Sequence, residues 1–136
     1  MHIATKSSKI DISLENNTRL ISNEVSHFLK KGDIFFLYGE IGVGKSTFIK
    51  YLINFLQSKS NMKQTEVPSP TFNIVHEYKT KDYIIHHYDL YRINNHRELQ
   101  NIGLFENNKD LVTFIEWPEI IKKKPKKRIE LLFSYE

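Results

Sequence analysis

Gly39-Glu40-Ile41-Gly42-Val43-Gly44-Lys45-Ser46, with Thr47 behind it, is the stretch from which the rest of the chain is read. It matches the phosphate-binding pattern G-x-x-x-x-G-K-[ST]. Ile34-Phe35-Phe36-Leu37-Tyr38 before it is a continuous apolar run and predicts a buried strand. After it, Phe48, Tyr51, Leu52, Phe55 and Leu56 recur at helical spacing, which predicts an amphipathic helix from Lys45 to about Gln57. Strand, glycine loop, helix is the order a phosphate cradle needs. A chance glycine turn does not account for a full motif with both flanks in place. Glycines allow backbone angles and close approaches that a Cβ blocks. Their N–H groups and the helix N-terminus behind them make a concave site of positive potential. Lys45 is placed to reach the β- and γ-phosphates, and the Ser46 hydroxyl to join the shell of Mg²⁺. The loop predicts nucleotide binding and does not say what the nucleotide is used for.

The remaining composition narrows the class. A chain of 136 residues with 40% apolar and 26% charged residues reads as one globular domain, 1–136, large enough for a real core. No apolar run approaches the ~20 residues of a membrane span. Met1-His2-Ile3-Ala4-Thr5-Lys6 lacks the apolar core and cleavage site of a signal peptide. The absence of cysteine excludes disulfides and thiolate metal sites and suits a reducing cytoplasm, the expected location. The net charge of +4 is concentrated in Lys122, Lys123, Lys124, Lys126, Lys127 and Arg128. No aromatic residue interleaves that block, so a solvated loop is favoured over a single-strand nucleic-acid platform. Attraction of RNA or of an acidic protein face by it is the competing reading, and binding to RNA would weaken steeply as salt rises.

Ile10 to Leu14 alternates as an edge strand does. Asn16 and Asn17 are plausible caps for a helix from about Thr18 to Lys30 with Leu20, Ile21, Val25, Phe28 and Leu29 on its apolar face, stopped by Gly32-Asp33. That helix is expected near the base of the nucleotide. Ser58 to Gln64 reads as polar and exposed. The prolines of Val67-Pro68-Ser69-Pro70-Thr71-Phe72 demand a stiff extended segment, either a plain connector or a switch that senses the γ-phosphate. Asn73–Tyr78 and Tyr83–Asp89 predict an antiparallel hairpin. Asp89 then stands at a strand end, where phosphate-loop enzymes hold magnesium or orient water. His86 and His87 point to opposite faces and do not read as joint ligands of one metal. Asn95 caps a short helix ended by Gly103. Leu111–Ile115 is another buried strand, delivering Glu116 at its carboxyl end, the ligand edge of an open α/β sheet. Glu116 is therefore a candidate magnesium or water-organising carboxylate. Trp117 reads first as a packing residue. Pro118 starts a short helix through Ile121, and Ile129–Phe133 is a last strand. The predicted fold is α/β: a single P-loop NTPase domain with a mixed, mainly parallel sheet, an antiparallel hairpin and flanking helices.

Taken together, the loop Gly39–Thr47, Ser69-Pro70-Thr71-Phe72, His87-Tyr88-Asp89-Leu90-Tyr91-Arg92, Glu98-Leu99 with Gly103, and Ile115-Glu116-Trp117-Pro118-Glu119 resemble the TsaE family, also called YjeE. The match runs in order over nearly the whole chain. The resemblance implies a small bacterial Mg²⁺-dependent ATPase of tRNA modification. Such proteins help to make N6-threonylcarbamoyladenosine on tRNAs that read codons beginning with A. It implies TsaB and TsaD as partners, with tRNA engaged through them and hydrolysis resetting the pair; the sequence does not report the oligomeric state of the free chain, for which a monomer is the expectation. It implies that Gly39, Glu40, Ile41, Gly42, Val43, Gly44, Lys45, Ser46 and Thr47 wrap ATP, with Ser46 in place of a frequent family Thr. It further implies Ser46 and Glu116 as magnesium ligands, Lys45, Asp89 and Glu116 as the catalytic set, Thr71 in a switch segment and Trp117 beside the nucleotide. The absence of an N-K-x-D guanine-reading motif agrees with ATP. Two rival readings remain: a small-molecule or nucleoside kinase, and a non-catalytic nucleotide-dependent scaffold. Kinases usually add an arginine-rich lid, whereas this chain has only Arg19, Arg92, Arg97 and Arg128. Arg92 is the nearest candidate for an arginine finger.

Overall fold

The computed structural model describes residues 15–40, 44–59, 74–93, 96–106 and 108–134. The expected strand at 10–14, loop residues Ile41, Gly42 and Val43, the proline segment with Thr71, and the Asn95 cap lie outside them.

The apolar run before the glycine loop forms β1 (Ile34–Tyr38). It is apolar on both faces because both faces are covered. Phe35 and Leu37 enter one core with Val25, Phe48, Ile49, Leu52, Ile53 and Phe114. Ile34 and Phe36 enter a second with Tyr88, Leu90, Leu99, Leu104 and Ile115. The alternation follows from the two-residue period of a strand. Strands β2 (Val75–Lys79), β3 (Ile84–Asp89), β4 (Leu111–Glu116) and β5 (Ile129–Leu132) complete a sheet of order β2-β3-β4-β1-β5. β1 is parallel to β4 and β5, β3 is parallel to β4, and only the β2–β3 hairpin is antiparallel. Helices α1 (Glu15–Ser26) and α2 (Lys45–Lys59) pack over the first core, and α3 (His96–Ile102) over the second. The expected mixed, mainly parallel α/β sheet is what the chain forms. No helix among the described residues is long and apolar enough to cross a membrane.

The register brings three strand ends level. Leu37 pairs with Glu116, and Glu116 with Asp89. Phe114 stacks on Phe35 at 4.7 Å between ring centroids and supports this alignment from below. At the other end of β1, the Gly32 N–H donates to Leu111 O at 2.8 Å and the Thr113 N–H to Asp33 O at 2.9 Å, extending the β1–β4 ladder. The Asp33 carboxylate accepts from the Lys30 N–H at 2.8 Å and shapes the turn.

The first helix departs from expectation. It begins by Glu15 and ends at Ser26, so Asn16 and Asn17 are helical residues rather than caps. Leu29 is buried beyond its end, but Phe28 is 64% exposed and Leu20 42%, so neither is core. The spacing of apolar residues located the helix, but the arc that touches the sheet is narrower than the apolar stripe. The Ser22 hydroxyl donates to Thr18 O at 2.8 Å and lies 3.1 Å from Phe48 O, tying α1 to the first turns of α2. Helix α2 runs two residues further than predicted, and its most buried positions include Ile49 and Ile53. The short helix at Pro118–Ile120 is 3-10. Gly103 follows α3 with φ 66°, the left-handed stop the sequence suggested.

The basic block is not uniform. Lys122, Lys123, Lys126 and Lys127 are exposed. Lys124 Nζ donates to Ile121 O at 2.7 Å, and Arg128 donates to Pro125 O at 2.8 Å and to Glu130 Oε2 at 2.9 Å. Tyr38 also donates to Glu130, at 3.0 Å; burial and then this carboxylate push its phenol up to about 12.

Removing the Phe114 ring should open a cavity between β1 and β4, so Phe114→Ala is expected to cost about 3–5 kcal/mol in urea unfolding. Leu132→Ser, on the exposed edge of β5, should stay within about 0.5 kcal/mol. Equal losses at the two positions would contradict the core assignment.

Candidate functional site

The site forms where β1, β3 and β4 end together. β1 passes through Tyr38 to Gly39, with φ 144°, and the loop leaves through Gly44, with φ 112°. Side chains rarely adopt these angles, so both positions need glycine. Lys45 opens α2, so its N–H groups and those of the next turn face the loop. Ser46 and Thr47 are half-buried beside it, and Glu40 is exposed.

Lys45 is the centre of the arrangement. It is 3% exposed, its Nζ donates to Gly39 O at 2.5 Å, and it lies 4.3 Å from the centre of the Trp117 ring. Among the described residues no carboxylate forms a salt bridge with it. Burial pulls its pKa down, and the fields of Glu116, Asp89 and Glu119 oppose that pull. A buried ammonium held by a carbonyl and an aromatic face, with acidic groups nearby but none paired to it, is suited to receive an anion. The phosphate pattern of the sequence predicts that anion.

Glu116 ends β4, 5% exposed. His87, fully buried on β3, contacts its Oε2 through Nε2 at 2.5 Å. No described residue engages Oε1. Asp89 ends β3, half-buried, its Oδ1 accepting the Tyr91 N–H at 3.0 Å. Burial raises the Asp89 pKa; the Tyr91 N–H lowers it, Glu116 raises it, and His87 and Lys45 lower it. Trp117 sits at φ 58°, a left-handed angle costly for a bulky residue, and packs on Tyr91 at 4.9 Å between ring centroids. That turn carries the indole back over Lys45. Among the described residues no three His, Asp or Glu side chains converge as metal ligands. Magnesium usually takes one or two protein oxygens and completes its shell with phosphate and water, a demand that Ser46 and the open oxygen of Glu116 suit.

The structure thus gathers Gly39, Gly44, Lys45, Ser46, Asp89, Glu116 and Trp117 at one edge. Arg92, named as a finger candidate, is exposed. Sequence reasoning missed His87 as part of the site. It sits two residues before Asp89 on the same strand face, and that spacing was the available signal. Glu119 and Tyr91 were quoted within motifs without a role, yet one acts on the Lys45 charge and the other backs Trp117.

Comparison with known proteins bears on the same residues. A family model described as "Threonylcarbamoyl adenosine biosynthesis protein TsaE" matches residues 12–136. A protein of Rickettsia felis named "tRNA threonylcarbamoyladenosine biosynthesis protein TsaE" is 36% identical over 79% of this chain and 61% of its own length. A protein of the same name from Rickettsia conorii is 34% identical over 82% of this chain and 61% of its own length. The chain therefore spans about three-fifths of these relatives. A crystal structure of the Bacillus protein YdiB superposes with a TM-score of 0.65 at 24% identity, covering 89% of this chain and 72% of that one, which shows the shared fold.

The raised pKa of Asp89 makes a signed prediction. The folded protein holds this proton more tightly than the unfolded chain, whose Asp titrates at about 3.9. Stability is therefore lost as pH rises through and above that range. Asp89→Asn keeps the acceptor for Tyr91 and removes the ionisation. In thermal unfolding of the nucleotide-free protein, its advantage over wild type should grow from about pH 4 to pH 7. An Asn variant less stable than wild type at pH 7 would show that burial does not dominate at this carboxylate.

Proposed function

The chain belongs to the TsaE family, and from that premise we propose that it is a Mg²⁺-dependent ATPase required for threonylcarbamoyladenosine modification of tRNA. It acts by binding a TsaB–TsaD pair and resetting that pair through ATP hydrolysis. The observation that carries the reading is the buried, unpaired ammonium of Lys45 at the start of α2, level with Asp89 and Glu116 at the carboxyl edge of the sheet.

The chemistry is transfer of the γ-phosphoryl group to water. The bond from the γ-phosphorus to the bridging oxygen breaks as a bond to the water oxygen forms, giving ADP and inorganic phosphate. The glycine-loop N–H groups and the N-terminus of α2 bind the phosphates. Lys45 exchanges its contact with Gly39 O for phosphate oxygen and neutralises charge there. Ser46 and Glu116 would hold Mg²⁺, which when bound neutralises phosphate charge and aligns the triphosphate. Asp89, with its pKa raised by burial, accepts a hydrogen bond from the attacking water and orients it. Trp117 excludes solvent from one side of Lys45. No described arginine is buried at the site, so hydrolysis by the isolated chain is slow, and the partners alter it by completing or rearranging the site.

The test is steady-state ATP hydrolysis with Mg²⁺, with and without a TsaB–TsaD pair and tRNA. The partners should change the rate, and Glu116→Ala should reduce it by about 100-fold or more. If the partners neither bind nor change the rate while a small metabolite takes phosphate from ATP, the kinase reading replaces this one. Binding without turnover, even in a single-turnover assay, would favour the scaffold.

A further inference from the structure

His87 occupies a strand position that a leucine would fill at lower cost. It is fully buried on β3, on the strand face it shares with Ile85 and in register with Phe114 of β4. Its Nε2 contacts Glu116 Oε2, and its Nδ1 has no hydrogen-bond partner among the described residues. Across the hairpin stands His76, whose buried Nε2 also lacks a partner there. An unsatisfied buried polar atom costs on the order of 1–3 kcal/mol. Stability alone therefore gives no reason for an imidazole at this point. Its one side-chain hydrogen bond among the described residues goes to the strand-end carboxylate.

Glu116 needs such a bond. A glutamate has three side-chain torsions, and this one has no other hydrogen-bond or ion-pair partner among the described residues. Lys45 is turned to Gly39 O and the Trp117 ring. Without His87 the carboxylate would be free to rotate and to present either oxygen, or neither, to the edge of the sheet. With Nε2–H donating to Oε2, one oxygen is fixed and Oε1 is left as the single outward ligand. Groups behind metal ligands typically change metal affinity by about 10–100-fold.

We propose that His87 is a positioning residue that holds Glu116 through Nε2–H so that one carboxylate oxygen is presented to the nucleotide-bound divalent cation. The inference rests on the assignment of Glu116 as a cation ligand made above.

The test measures what the cation contributes to nucleotide binding. The affinity of the full chain for a non-hydrolysable ATP analogue is measured by calorimetry, once with excess Mn²⁺ and once with EDTA. The ratio of the two dissociation constants isolates the metal term. Trp117, the single tryptophan, gives an independent fluorescence signal. His87→Met fills the space and removes the donor. It should shrink the ratio by about 10-fold or more while leaving the EDTA value within about threefold. His87→Gln restores a donor at similar reach and should keep the ratio within about threefold of wild type. A merely structural role would move both dissociation constants together and leave the ratio alone. If His87→Met does not fold in a thermal unfolding check, His87→Asn, too short to reach Glu116, takes its place with the same expected loss.

A ratio unchanged in the donorless variant overturns the proposal. Equal loss in the Gln and Met variants also overturns it, because the donor is then irrelevant. Glu116→Gln separates this failure from that of the parent reading. A wild-type ratio already near unity, or one unmoved by Glu116→Gln, removes Glu116 as the cation ligand and His87 with it. A ratio lost in Glu116→Gln but kept in His87→Met leaves Glu116 in place and removes only the positioning role.

Discussion

A positive charge is held out of water at the start of α2, and much of the molecule is arranged around that constraint. Lys45 is nearly inaccessible, yet it is held by one carbonyl and one aromatic face rather than by a carboxylate. Desolvation works against its charged form, and the nearby acidic groups restore only part of the loss. A direct ion pair would relieve the lysine and would also block an incoming phosphate. Glu116, Asp89 and Glu119 lie close enough to act on the Lys45 charge, and none of them is paired to it.

That arrangement requires three strand ends to coincide, and the two cores enforce this. Phe35, Leu37 and Phe114 lock β1 against β4 on one face, Phe36 and Ile115 do the same on the other, and Tyr88 packs there from β3. A slip of one residue would turn Glu116 and Asp89 to the opposite face of the sheet. The edge at which the site lies is therefore fixed by apolar packing some distance beneath it. The antiparallel hairpin contributes separately. It places β3 beside β4 with His87 against Glu116, at the expense of His76 Nε2 and His87 Nδ1, which find no hydrogen-bond partner among the described residues.

The site carries local costs of the same kind. Trp117 holds a left-handed backbone angle, worth about 1–2 kcal/mol against it. The turn brings the indole over Lys45 and against Tyr91. Asp89 is kept partly out of water, so its ionised form is disfavoured relative to the unfolded chain. A chain selected for stability alone would relax each of these. Their concentration at one edge of the sheet fits a surface built to hold a charged ligand and to exclude water from it.

Much of this was legible before folding, because it depends on short-range chemistry. The glycine loop with Lys45 and Ser46, the runs Ile34–Tyr38 and Leu111–Glu116, the hairpin around Lys79–Asp82 and the stop at Gly103 all follow from backbone sterics and from periods of two and 3.6 residues. The ordered motifs identified the family, and strand-end position alone singled out Asp89 and Glu116. What the sequence could not decide was which faces meet. The apolar stripe of α1 included Leu20 and Phe28, and only the approach of the sheet showed that both stay exposed. His86 and His87 are adjacent and chemically identical in the sequence. One lies half-exposed against Glu77 and the other is buried against Glu116, a difference created by the layer that covers each side of β3. The sequence determined the elements and the phosphate-loop motif, because those rest on neighbours along the chain. The tertiary structure alone decided which polar groups lie in low dielectric and with what partners, because the layers that cover them are brought from elsewhere in the chain, as Glu116 is brought to His87 from 29 residues away.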